Sequence, residues 1–247
     1  MGNVLAAVLG IPTPFCSCSA VPLFIGFVEA GVPLGVTFSF LIACPLINEV
    51  AVAMLLGLFG LNIAALYIAT GLAIAVMAGI VIGRLNLESE IEESVFRIKP
   101  RKASSAKMTR AERLDFAFSE SKRISLSVLP YILLGIAVGG FIHGYLPENF
   151  LASMAGRDNV FAVPVAVLIG IPLYSNAAGT VPVVEALVAK GMAMGTALAL
   201  MMSIVGLSLP EMIILRKVLR PRLIAIFAGV LFLAFVLTGY VFNAVLG

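Results

Sequence analysis

Three long stretches of this chain, 61–83, 124–146 and 223–247, carry no acidic or basic side chain apart from the lone His143. Each is long enough to cross a bilayer as a helix, which takes about 20 apolar residues. In hydrocarbon every backbone N–H and C=O needs an internal partner, so spanning segments are helices or closed barrels. The dyad alternation of a barrel strand is not visible, so the spans are read as helices. Charged residues make up 12% of the chain, half the share of about 25% in soluble domains. The expectation is an all-α, multi-pass protein of the cytoplasmic (inner) membrane. Met1 is followed by a short apolar run with no basic region, which is not the pattern of a cleavable signal peptide. The three cysteines cannot form a full disulfide framework and are expected to be thiols.

Between the long runs the apolar pattern is repeatedly broken. Pro12, Pro14 and Pro22 fall in one short segment that also holds Cys16-Ser17-Cys18-Ser19. Proline lacks an N–H and clashes with the preceding turn, so a continuous helix is excluded there. The flanking segments, 2–11 and 20–30, are each too short to span. Residues 33–59 read as a longer helix interrupted at Cys44-Pro45-Leu46-Ile47-Asn48-Glu49. Residues 85–123 differ in kind, being dense in Lys, Arg, Asp and Glu with the basic residues in excess. Within them Thr109-Arg110-Ala111-Glu112 is a capping-box pattern, followed by Leu114 and Phe118 at helical spacing. That suggests a short amphipathic helix on the membrane surface, or one packed on another loop.

The second half repeats the first. Laid so that Gly10-Ile11-Pro12 meets Gly170-Ile171-Pro172, the two halves also match Val21-Pro22 with Val181-Pro182. In the same register Val28, Gly31 and Gly35 meet Val188, Gly191 and Gly195. Eight ungapped identities in one register point to an internal repeat. A gap of two positions is then needed to set Glu49 on Glu211. The expected organisation is a first membrane repeat at 1–84, a charged cytoplasmic loop at 85–123 and a second membrane repeat at 124–247. Span 124–146 has no counterpart before residue 2, so the first repeat is expected to lack its first helix. Basic residues in loops 85–123 and 216–222 place both on the cytoplasmic side. An even number of crossings between them requires two full helices plus a re-entrant hairpin. The uncharged turn 57–62 then falls on the far side, which makes the repeats inverted.

Candidate site residues follow from the breaks. Cys16 and Cys18 sit on irregular backbone at membrane depth, where both sulfurs can face one cavity. Thiolates prefer soft ions and metalloids. Ser17 and Ser19 can cap the half-helix that follows, whose positive end favours a thiolate or an anion. The competing reading is cysteine as a small apolar residue suited to tight packing. Cys44, beside Pro45, is a third possible ligand, although Ala or Ser would pack there as well. The second repeat keeps the break and loses the thiols: Ser175, Asn176 and Thr180 can cap or hydrogen-bond a substrate, as can Asn48 in the first. Acidic residues at membrane depth are candidates for proton coupling. Glu49 leads them, with Glu185 and with Glu211, which Arg216 and Lys217 set one or two turns from the surface. Glu29 and Lys190 read as solvated hairpin ends, and His143 as an interfacial residue. Nothing calls for a cofactor, a resident metal or nucleic acid; the partners expected are the lipid bilayer and a small substrate.

From Pro12 to Pro45 the sequence resembles the ArsP/YraQ-type predicted permeases, and the similarity runs over nearly the whole chain, the second repeat included. The matching residues are Pro14-Phe15-Cys16-Ser17-Cys18, Val21-Pro22-Leu23, Gly26, Ala30-Gly31-Val32-Pro33-Leu34-Gly35, Phe40-Leu41-Ile42-Ala43, Pro45 and Asn48. Ser19 stands where a glycine is usual and Cys44 where Ala or Ser is usual. Some members of that group export trivalent organic arsenicals. The resemblance therefore implies a permease rather than an enzyme, with Cys16 and Cys18 as substrate ligands. Two other readings stand beside efflux of a thiophilic substrate: a permease for a small inorganic or sulfur-containing anion held at half-helix N-termini, and a membrane thiol redox protein.

Overall fold

The computed structural model of the chain describes residues 1–13, 17–85, 87–91, 161–173 and 175–246, with scattered positions between 118 and 133. Span 124–146, the amphipathic helix expected after Thr109, and His143 lie outside the described residues, apart from those scattered positions. Every regular element among the described residues is helical. The first set is α1 (Gly2–Gly10), α2 (Ser17–Glu29), α3 (Leu34–Leu46), α4 (Glu49–Phe59) and α5 (Leu61–Arg84), followed by a 3₁₀ turn at Leu87–Glu90. The second set is α6 (Ala162–Gly170), α7 (Ala177–Ala189), α8 (Met194–Gly206), α9 (Leu209–Leu215) and α10 (Pro221–Leu246).

The helix starts of the two sets pair in the register that sets Gly10 on Gly170: Gly2 with Ala162, Ser17 with Ala177, Leu34 with Met194, and Leu61 with Pro221. The register is kept through the second break as well, where α4 begins at Glu49 and α9 at Leu209. No gap separates the sets, so Glu211 corresponds to Ala51 rather than to Glu49. The turns recur too. Val32 N–H bonds to Phe27 O and Met192 N–H to Leu187 O. Gly31 (φ 80°) and Gly191 (φ 96°) supply the left-handed residue that this helix ending requires.

Helices α3 and α8 form the centre. Neither carries a charged residue, and nearly every side chain of both is buried. Within each set, α3 packs on α1, α2 and α5, and α8 on α6, α7 and α10. Between sets the contacts are reciprocal: α3 meets α8, α5 meets α10, α2 meets α9 and α4 meets α7. The C-terminal side of α5 meets the start of α10: Arg220 N–H bonds to Glu90 O at 2.9 Å, and Arg222 Nη1 lies 3.5 Å from Glu90 Oε1.

Helices α5 and α10 expose Met77, Ile80, Val81, Leu233, Leu237 and Val241 to the surroundings. Such a surface would aggregate in water and belongs in lipid. Among the described residues three segments are long and apolar enough to cross a membrane: α5, α8 with α9, and α10. The pair α3 and α4, bent by 44°, makes a fourth if it is one broken span.

Candidate functional site

Breaks at 11–13 and 47–48 in the first set, and at 171–173, 175–176 and 207–208 in the second, divide the described helices into short pieces. They meet one another. Thr13 reaches the last turn of α3, with its Oγ1 3.4 Å from Cys44 Sγ. The Leu46 side chain lies beside Gly206, so the ends of α3 and α8 face each other. Leu209 N–H bonds to Ile171 O at 2.7 Å, which ties the fourth break to the third. Irregular backbone is thereby gathered where α3 and α8 end, and its polar groups are concentrated there.

The first-set break is internally satisfied. Pro45 deprives α3 of one donor, and Asn48 ends the helix by capping α4, its Oδ1 accepting Val50 N–H at 2.8 Å. That N–H would otherwise have served Leu46 O, four residues back. Tyr67 takes over, its hydroxyl donating to Leu46 O at 2.9 Å from within α5. Tyr67 is fully buried.

The second-set break is not satisfied in this way. Gly206 corresponds to Leu46. Its α-helical donor would be residue 210, which is proline, and the position corresponding to Tyr67 is Phe227. Ser208 corresponds to Asn48 and stands at the N-cap of α9, yet its side chain makes no capping bond. Ser208 Oγ and Glu211 Oε2 are buried without a hydrogen-bond partner. Glu211 is 2% exposed, and α9 packs on α2.

The remaining candidates are placed as follows. Cys16 lies outside the described residues, as do the side chains of Ser17 and Cys18. Ser19 is exposed in the first turns of α2. Cys44 is buried, its thiol also 3.8 Å from Thr13 O. Asn176 caps α7 by accepting Gly179 N–H at 2.8 Å, and Thr180, buried, donates to Asn176 O at 2.8 Å. Glu49 and Glu185 are exposed. The structure thus brings Cys44, Asn48 and Glu211 to the breaks and sets Glu185 on an outer face of α7. Sequence reading missed Thr13, Tyr67 and Ser208. The Ser208-Leu209-Pro210-Glu211 run, a capping-box spacing with proline inside it, was the available signal.

A cavity of about 270 Å³ lies away from the breaks, between α1, α3 and α5, lined by Asn3, Gly35, Gly83 and Arg84 among others. None of its lining residues belongs to a break, so the convergence of the breaks, and not this cavity, defines the candidate site.

Comparison with known proteins agrees with a membrane transporter. The family model described as "Predicted permease", ArsP_1, matches residues 1–244. The UPF0718 protein MJ0584 of Methanocaldococcus jannaschii is 22% identical over 298 aligned residues, which cover 98% of this chain and 82% of that protein. The UPF0718 protein YraQ of Escherichia coli K12 is 24% identical over 221 aligned residues, covering 87% of this chain and 60% of that protein's length. No solved structure matches. The match over nearly the whole length settles the family: the chain belongs to the ArsP_1 family of predicted permeases.

Proposed function

We propose that this permease is built of two inverted repeats, 1–84 and 124–247, joined by a cytoplasmic loop at 85–123, and that it exports a small thiophilic substrate such as a trivalent organic arsenical. The observation that carries the transport reading is the convergence of helix breaks at the ends of α3 and α8. Broken helices gathered at the interface of two repeats form a binding site that either side can reach. Inversion is supported by the contact between the end of α5 and the start of α10, since these helices occupy corresponding places in the two sets. The short pairs α1–α2 and α6–α7 are the re-entrant hairpins in this reading. Cys16 and Cys18, which open the α2 arm, supply the soft ligands, with Cys44 as a third and with Ser17, Ser19, Asn48, Asn176 and Thr180 as polar lining.

Uptake into everted membrane vesicles tests the cargo. The trivalent arsenical is expected to accumulate and its pentavalent form and a simple oxyanion are not. Equal uptake of the oxyanion would replace this reading with the anion permease. Thiol–disulfide cycling with a partner in the absence of flux would replace it with the redox protein.

Topology is tested separately. Single cysteines at Ser104 and Lys217, in a background without native cysteines, are expected to react with an impermeant reagent from the cytoplasm, and one at Gly60 from outside. Labelling of all three from one side would end the inverted-repeat reading.

A further inference from the structure

We propose that the second-set break binds the monovalent cation that couples transport, a sodium ion or a proton, through the Glu211 carboxylate, Ser208 Oγ and the Gly206 carbonyl. The argument comes from comparing corresponding positions of the two sets. At the first break the polar groups are partnered: Asn48 caps Val50, and Tyr67 donates to Leu46 O. At the second break those partners are absent. Pro210 has no N–H for Gly206 O, Phe227 has no hydroxyl, and Ser208 makes no cap. Glu211 then adds a carboxylate where the first set has the buried Ala51.

Buried polar groups are paired in folded proteins, and an orphan is costly. Two orphaned side-chain oxygens, Ser208 Oγ and Glu211 Oε2, belong to the N-cap and the first turn of one short helix, and the Gly206 carbonyl, two residues before Ser208, has lost its helical donor. The carboxylate and the carbonyl are acceptors only, and the Ser208 hydroxyl can rotate to offer its lone pairs beside them. A hard cation satisfies such a set, and half-helix ends with unwound carbonyls are where transporters hold their coupling ions. A single carboxylate balances one positive charge.

No competing cation is fixed nearby by the central helices. Helices α8 and α10 carry no charged side chain between Met194 and Gly206 or between Leu223 and Leu246. The sequence of α2, which packs on α9, has Cys18 and Glu29 as its ionisable residues. Arg216 and Lys217 follow α9 in sequence, and the Arg216 guanidinium donates to Leu219 O at 3.3 Å.

The coupling role rests on the permease reading, but the binding does not. The test therefore uses purified full-length protein in detergent without any transport substrate. At constant pH and ionic strength, sodium chloride replaces choline chloride while the thermal unfolding midpoint is followed. The protonated-carboxyl stretch is followed by infrared spectroscopy against pH. A saturable rise of the midpoint with sodium identifies the ion as sodium, and a titrating carboxyl band lost in Glu211→Gln identifies it as a proton. Glu211→Gln is expected to abolish whichever response the wild type gives. Ser208→Ala is expected to weaken a sodium response by at least about tenfold, the worth of one lost ligand, and to leave a carboxyl band in place. Phe227→Tyr restores the donor found in the first set, so it should stabilise the cation-free protein and blunt the sodium response without touching the acid. A midpoint indifferent to sodium, together with infrared spectra identical in wild type and Glu211→Gln, would overturn the proposal. Failure of arsenical flux with the cation response intact would instead remove only the cargo.

Discussion

Cys16→Ser and Cys18→Ser are each expected to abolish most of the transport of a trivalent arsenical, while Cys44→Ala weakens it. Trivalent arsenic is soft and binds sulfur, whereas the pentavalent form is a hard oxyanion that thiolates bind poorly. A serine hydroxyl nearly keeps the size of the side chain and loses the soft donor, so packing is little changed and binding is not. The comparison of the three cysteines is informative because their settings differ. Cys16 and Cys18 flank the start of α2, and the first turn of a helix has unpaired N–H groups that favour a thiolate. Cys44 is buried against Thr13, in contact with its hydroxyl and carbonyl. Alanine at position 44 removes that contact as well as the thiol, so its effect combines a shifted first break with a lost ligand. The measurement is initial uptake into everted vesicles at matched protein levels. Full activity in the Cys16→Ser protein would mean that the thiols only pack.

Much of the fold was legible in the sequence because its signals are local. Gly31, Gly60 and Gly191 mark where helices stop, whereas Pro22, Pro45 and Pro182 lie inside α2, α3 and α7, so the helix expected to be excluded at Pro22 runs through it. The identities that set Gly10 on Gly170 and Gly35 on Gly195 predicted a repeat in the register that the helix starts of both sets follow. The long spans at 61–83 and 223–247 became α5 and α10 because their length and lack of charge leave no other choice. The two sets do not carry matching chemistry at matching places. Pairing Glu49 with Glu211 required a gap, and the structure keeps the register and leaves Glu211 opposite Ala51. The acid belongs to one set only. A lone tyrosine in an apolar helix looks like packing until the carbonyl it satisfies, Leu46 O in a different helix, is located. Satisfaction of polar groups is a property of the assembled breaks, which a single helix cannot reveal.

Gly35→Ala and Gly195→Ala are expected to destabilise the protein by similar amounts, and Gly26→Ala is not. Each of the first two glycines lies in the first turn of a central helix, where the backbone of the long helix crosses it. A Cβ on Gly35 would meet Gly79 O and the Gly83 backbone; one on Gly195 would meet Gly239 O and Asn243. Backbone atoms cannot rotate away as a side chain can, so α3 would have to move off α5, or α8 off α10. Small residues at such crossings are what let membrane helices approach closely. Forcing an extra methyl into a packed contact costs about 1–3 kcal/mol, and here the displaced contact is the most extensive in each set, so the upper end is expected. The α8–α10 crossing also carries a polar tie that separation would break, Asn243 Nδ2 donating to Thr196 Oγ1 at 3.1 Å. Beside the α3–α5 crossing, Asn3 of α1 donates to Gly35 O and Ser39 Oγ at 3.0 Å and holds α1 to α3. Gly26, inside α2, has nothing within 4 Å of its would-be Cβ; alanine there should be neutral or stabilising by up to about 1 kcal/mol. Thermal unfolding in detergent reads all three variants. The double variant Gly35→Ala with Gly195→Ala is expected to be additive, because the two crossings belong to different sets and share no partner. A Gly35→Ala protein as stable as Gly26→Ala would show that α3 and α5 do not approach backbone to backbone. Marked non-additivity would show that strain at one crossing passes through the α3–α8 contact to the other.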